Sequence, residues 1–208
     1  MSIWPPRARY VWLAALLVAA ACSDDSSRTA DDTPVIATGP ADDAGTNATS
    51  GLAVLPTRDG PRRETTGSVP HIQLDAEPVP EVNAELRRRV FSLPGVEERE
   101  SQLSLPGARS LWLADDVELA RPEVLPAGRE FGHFHPDGSL HLWLPVERAK
   151  EVAETKWGEL HPWVDRENFW DGVVMIYIPE TFDEVDVALR LVVDAYNYIA
   201  GTNLDPAS

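Results

Sequence analysis

Arg129-Glu130-Phe131-Gly132-His133-Phe134-His135-Pro136-Asp137-Gly138-Ser139-Leu140-His141-Leu142-Trp143-Leu144 is the stretch whose reading decides the fold. Two runs of strand-forming residues flank Pro136-Asp137-Gly138, a turn signal, so the segment reads as a β-hairpin. With a three-residue loop and Gly138 at positive φ, His135 faces Ser139, Phe134 faces Leu140 and His133 faces His141. Period-two alternation then puts Phe134, Leu140, Leu142 and Leu144 on one face and His133, His135, His141 and Trp143 on the other. A two-residue loop would mix histidines with leucines, so the first register is preferred. Glu130 falls on the face of Phe134 unless a bulge at Gly132 turns it over.

Working outward, Val82, Leu86 and Val90 recur every four positions between Pro80 and Phe91, and Pro94-Gly95 stops that amphipathic helix. Leu103 and Leu105, then Ser110 to Leu113, read as two strands separated by Pro106-Gly107, and Ala120 to Gly128 as a loop. On the other side of the hairpin, Val146 to Glu154 reads as a helix. Lys156 to Trp163 is aromatic and irregular, and Gly172 to Pro179 is a near-continuous apolar run expected to form a central strand. Thr181 and Glu184 begin a last helix striped by Val185, Leu189, Val192, Val193, Tyr196 and Ile199, which Gly201 ends. The order predicts an α+β fold: a mainly antiparallel sheet with helices packed on one face, leaving the histidine face to be covered or used.

The N-terminal part has a different composition. Arg7 and Arg9 precede an apolar run from Tyr10 to Ala21, too short to span a bilayer and fitting the core of a signal peptide. Three small residues directly before Cys22 resemble the lipobox of bacterial lipoproteins, with Ala19 in the place usually taken by Leu. Residues 1–21 are therefore expected to be a lipoprotein signal peptide, with thioether lipidation at Cys22. That predicts an extracytoplasmic protein held to a bacterial membrane by lipid. Residues 22–76, rich in Asp, Ser, Thr, Ala, Gly and Pro, read as a disordered acidic linker reaching on the order of 40 Å, and the folded domain as 77–204.

Net charge and cysteine count limit the functions open to the chain. A formal charge of -16 excludes binding to a nucleic-acid backbone, which relies on Lys and Arg displacing counterions. Cys22 is the only cysteine, so there is no internal disulfide and no thiolate zinc site.

Residues 107–113, the hairpin 129–141, Trp157-Gly158-Glu159-Leu160-His161-Pro162 and the strand end Ile176-Tyr177-Ile178-Pro179 resemble the luciferase-domain family, over about Leu93 to Ala200. The resemblance departs at Leu160, where members often carry Arg. It implies an oxygenase-type enzyme, a luciferase-like monooxygenase acting with molecular oxygen and no bound organic cofactor.

The candidate catalytic set is His133, His135, His141, Glu159 and His161, with Glu130, Trp143 and Trp157 as candidate substrate contacts. Neutral imidazoles can take a phenolic or enolic proton and leave an electron-rich anion that reacts with oxygen. No cofactor and no metal ligand is assigned, a divalent metal at the histidines being the lesser alternative. The other functional class is a non-catalytic envelope lipoprotein module binding a small molecule or partner through the same face. Oligomeric state is not legible from the residues.

Overall fold

The computed structural model describes residues 52–75 and 77–206. The expected signal peptide, Cys22 and the expected linker as far as residue 51 lie outside them. Among the described residues, three α-helices and six strands follow in chain order: α1 Pro80–Val90, β1 Val96–Glu100, β2 Arg109–Leu113, β3 Glu130–Phe134, β4 Leu140–Trp143, α2 Val146–Glu154, β5 Gly158–Leu160, β6 Val173–Ile176 and α3 Phe182–Ala200. The strands form one antiparallel sheet in the order β1-β2-β3-β4-β6-β5. The apolar faces of the helices bury Val82, Leu86, Val185, Leu189 and Val192 against Phe131, Phe134, Leu140 and Leu142 of the sheet. This is the expected α+β architecture.

The hairpin has the register that alternation demands. Phe134 pairs with Leu140 and His133 with His141. The His135 amide donates to the Ser139 carbonyl at 2.8 Å, and Gly138 sits at φ +94°. Between β2 and β3 the pairing steps from Leu111–Gly132 to Trp112–Glu130, leaving Phe131 as the extra residue of a bulge. The bulge sends Phe131 to the helix side, edge-on to Tyr196, and Glu130 to the histidine side.

The first strand of the sheet is not the one expected. Leu103 and Leu105 lie in the loop between β1 and β2, and the strand is the charged run Val96-Glu97-Glu98-Arg99-Glu100, exposed beyond Val96. This strand lies at the sheet edge, where charge guards against pairing with another chain, so apolar periodicity could not reveal it. β5, too irregular to assign from sequence, is a three-residue strand at the other edge.

The folded unit also begins earlier than residue 77. In the stretch 52–75, read as linker, Leu55, Arg58, His71 and Gln73 are buried. The Arg58 guanidinium donates to both Glu184 carboxylate oxygens at 2.8 and 2.7 Å and to the Ile178 carbonyl at 3.0 Å. Trp157 Nε1 donates to the Pro56 carbonyl at 2.6 Å, and the Gln73 amide oxygen accepts from the Ile178 N–H at 3.0 Å. These bonds, rather than a regular element, hold the segment as a strap, which is why it shows no periodicity. Among the described residues no helix is long and apolar enough to cross a membrane.

Candidate functional site

All five histidines of the chain converge on the sheet face away from the helices. His133 and His135 come from β3 and its end, His141 from β4, His161 from the end of β5, and His71 from the strap. Ring centroids lie 5.1 Å apart for His133–His141, 4.6 Å for His135–His141, 5.3 Å for His71–His141 and 5.1 Å for His141–His161. His141, opposite His133 in the ladder, is the centre of the set.

Each ring is oriented by a partner. His133 Nδ1 lies 2.9 Å from Glu130 Oε1, and that fully buried carboxylate also accepts from Ser101 Oγ at 2.6 Å and the Gln102 N–H at 3.0 Å. His135 Nδ1 lies 2.8 Å from Ser139 Oγ, which donates to Asp137 Oδ1 at 2.7 Å. His71 joins His141 Nε2 through its Nδ1 at 3.1 Å and Glu159 Oε1 through its Nε2 at 2.6 Å. Glu159 further accepts from Thr65 Oγ1 at 2.7 Å and Tyr177 OH at 3.2 Å. His161 Nδ1 accepts the Trp163 N–H at 3.1 Å, so a neutral His161 carries its proton on Nε2.

Burial, reinforced by the neighbouring histidines, favours the neutral rings. It takes His135 from the ordinary 6.5 to about 3, His161 to about 4, and His141 well below its ordinary value. Burial opposes ionisation of Glu159, yet hydrogen bonds from His71 and Thr65 bring its carboxyl below the usual range. Tyr177, buried beside Glu159, is pushed up to about 12.

The imidazoles floor a cavity of about 520 Å³ walled by Trp143, Trp163, Phe169, Leu103 and Pro106. Val69, Leu103 and Trp163 are exposed apolar side chains at its margin. Of the candidate residues, His133, His135, His141, His161 and Trp143 line this cavity. Glu130 and Glu159 do not line it; they hold histidines from behind. Trp157 belongs to the core beneath the strap, with Arg58 stacked 5.6 Å from its ring centroid, and is not a wall of the cavity. Leu160 packs against the core, so the departure from Arg at that position takes no group from the cavity.

His71 was the residue sequence reasoning missed. Its signal was faint: the one histidine outside the hairpin and the Trp-Gly turn, beside the isolated aliphatics Val69, Ile72 and Leu74 in an otherwise polar segment.

Residues 128–195 match the family model described as the luciferase domain. The chain is 29% identical over 180 residues to a luciferase of Armillaria mellea and 28% identical over 179 residues to one of Armillaria gallica. Each alignment covers 75% of this chain and 64% of the relative, so the chain spans less than two thirds of the length of these curated proteins. No solved structure matches. By the domain match and these relatives, the chain is similar to the luciferase-domain family, most specifically over residues 128–195.

Proposed function

We propose that the chain is an exported lipoprotein whose luciferase-like domain oxidises a small aromatic or enolisable molecule with molecular oxygen. The observation that carries the reading is the cavity itself: an apolar, aromatic-walled chamber of about 520 Å³ floored by buried imidazoles. Such a chamber suits a flat ligand of one or two rings, and its few polar groups all converge on one side.

The hydrogen bonds support a division of roles. A substrate hydroxyl set against the histidine floor meets nitrogen lone pairs able to accept its proton, while His161 Nε2–H donates to the oxygen and stabilises the anion. The resulting anion is electron-rich and held away from water, the condition under which it reacts with oxygen. The chemistry asks for no organic cofactor from the protein.

The test is oxygen uptake with a panel of phenols, enolisable diketones and hydroxypyrones. Wild-type protein is expected to turn over at least one class. His161→Ala is expected to lower kcat by about 10²–10³-fold, the loss typical for removal of a donor to a developing oxyanion. His133→Ala is expected to abolish turnover while circular dichroism stays native. Turnover unchanged in both variants would remove this cavity as the reaction site. Saturable binding of the same molecules without oxygen uptake would favour the non-catalytic ligand-binding module.

A further inference from the structure

The hydrogen-bond partners of the histidines account for every ring proton. His133 Nδ1 faces Glu130, His135 Nδ1 faces a serine hydroxyl whose own proton goes to Asp137, and His71 Nε2 faces Glu159. His141 Nε2 faces His71 Nδ1. Each of these four bonds takes one ring proton, and an imidazole that keeps a lone pair has only one to give. What remains are the lone pairs of His133 Nε2, His135 Nε2 and His141 Nδ1. One ring nitrogen from each of these three histidines lies within 4.8 Å of the other two, and His133 Nε2 is 3.1 Å from His141 Nδ1.

Lone pairs at that separation repel unless a positive charge sits among them. A metal ion set among the three nitrogens supplies that charge. With bonds of about 2.0–2.1 Å from nitrogen to metal, ligand nitrogens stand roughly 3.0–3.4 Å apart at angles between 90° and 110°, which the observed 3.1 Å matches.

We propose that His133 Nε2, His135 Nε2 and His141 Nδ1 bind a divalent first-row transition-metal ion, leaving a coordination position open to the cavity. An all-imidazole set suits zinc, iron, copper or nickel and not magnesium or calcium. The outward partners follow the pattern of metal-bound histidines, each of which donates its other ring proton to an acceptor that fixes tautomer and orientation. Here those acceptors are Glu130, Ser139 backed by Asp137, and His71 backed by Glu159. The second triad that the geometry offers, His71, His141 and His161, does not serve. His161 carries its proton on the nitrogen it would have to offer, because its Nδ1 accepts the Trp163 N–H. With the ion bound, these three lone pairs no longer accept the substrate's proton, which then leaves to solvent; the inference rests on the cavity being a reaction site only for what the open position would hold, namely the anionic oxygen of the substrate.

The experiment uses the full chain, stripped with chelator and titrated with Co²⁺ while visible absorption and heat are recorded, without substrate. One equivalent is expected to bind with the absorption of a nitrogen-ligated site. His135→Ala should abolish binding, Glu130→Gln should weaken it about 10–100-fold, and His161→Ala should leave it within about threefold. X-ray absorption of the cobalt-loaded wild type reads three imidazole ligands independently of how any variant folds. No binding by stripped wild type, binding that survives His135→Ala, or a ligand set without three imidazoles would overturn the proposal. Metal binding without oxygen uptake would leave it standing and remove the catalytic reading; oxygen uptake by stripped protein that binds no cobalt would do the reverse.

Discussion

At the scale of single residues, the site is made by side chains that lie behind the cavity wall as much as by those that line it. Glu130 reaches His133 only because one extra residue, Phe131, interrupts the pairing of β2 with β3. Sequence alternation placed Glu130 on the core face, with a bulge at Gly132 as the one way to turn it over; the bulge exists, one residue earlier. Gly132 is needed for a different reason. A Cβ there would stand 2.7 Å from the His141 carbonyl oxygen and 2.8 Å from Leu142 Cδ2. Gly132→Ala is therefore expected to cost about 1–3 kcal/mol by overpacking, measured by urea denaturation, and to disturb ligand binding by shifting His141. Trp157 and Trp143 separate core from cavity. Trp157→Ala should cost about 3–5 kcal/mol of stability with ligand affinity little changed, and Trp143→Ala should lower affinity. An affinity loss confined to Trp157→Ala would contradict the placement of these rings.

At the scale of elements, the hairpin was legible because a single loop length sorts its two faces, and Thr181 caps α3 through the Glu184 N–H as its sequence foretold. The strap over 52–75 was not legible. Its links to the domain join residues some 64 to 126 positions apart, such as Gln73 with Asp137 and Arg58 with Glu184, and composition carries no trace of pairings at that range. For the same reason four of the five histidines could be grouped from the sequence while His71 could not. The strap is expected to behave as part of the domain. A chain beginning at residue 77 loses Arg58, Leu55 and the Val69-Pro70-His71 wall of the cavity. Its melting temperature should fall by several degrees or more, with ligand binding lost, as followed by circular dichroism and calorimetry; an equally stable truncated chain with intact binding would show the strap to be dispensable. Arg148 does comparable work between helices. Fully buried, it donates from Nε to Asp194 Oδ2 at 2.8 Å and from Nη1 to Glu151 at 2.6 Å and to the Ala53 carbonyl at 2.9 Å. Its removal leaves buried Asp194 without its cation.

At the scale of the whole molecule, burying neutral histidines makes stability depend on pH. His135 and His161 have folded values of about 3 and 4 against 6.5 when unfolded. Below pH 6.5 the unfolded chain takes up protons that the folded chain refuses. Chelator-treated protein should therefore keep its stability above pH 6.5 and lose it progressively from there toward pH 4, by up to about 1.4 kcal/mol per pH unit for each such ring. Denaturation at stepped pH reads this directly, and a stability rising over that interval would have the wrong sign. The membrane anchor belongs to this scale as well: mass spectrometry of the mature protein is expected to find lipid on Cys22, and an unmodified chain would end the proposal of a lipoprotein.

The convergence of five imidazoles on one cavity can be checked in solution without any ligand or metal. With histidine-labelled protein, nuclear Overhauser cross-peaks are expected between the ring protons of His141 and those of His133, His135, His161 and His71, whose ring centroids lie between 4.6 and 5.3 Å away. A His71 ring with the shift of a free peptide and no contact to His141 would separate the strap from the sheet and leave the proposed site without its fifth member.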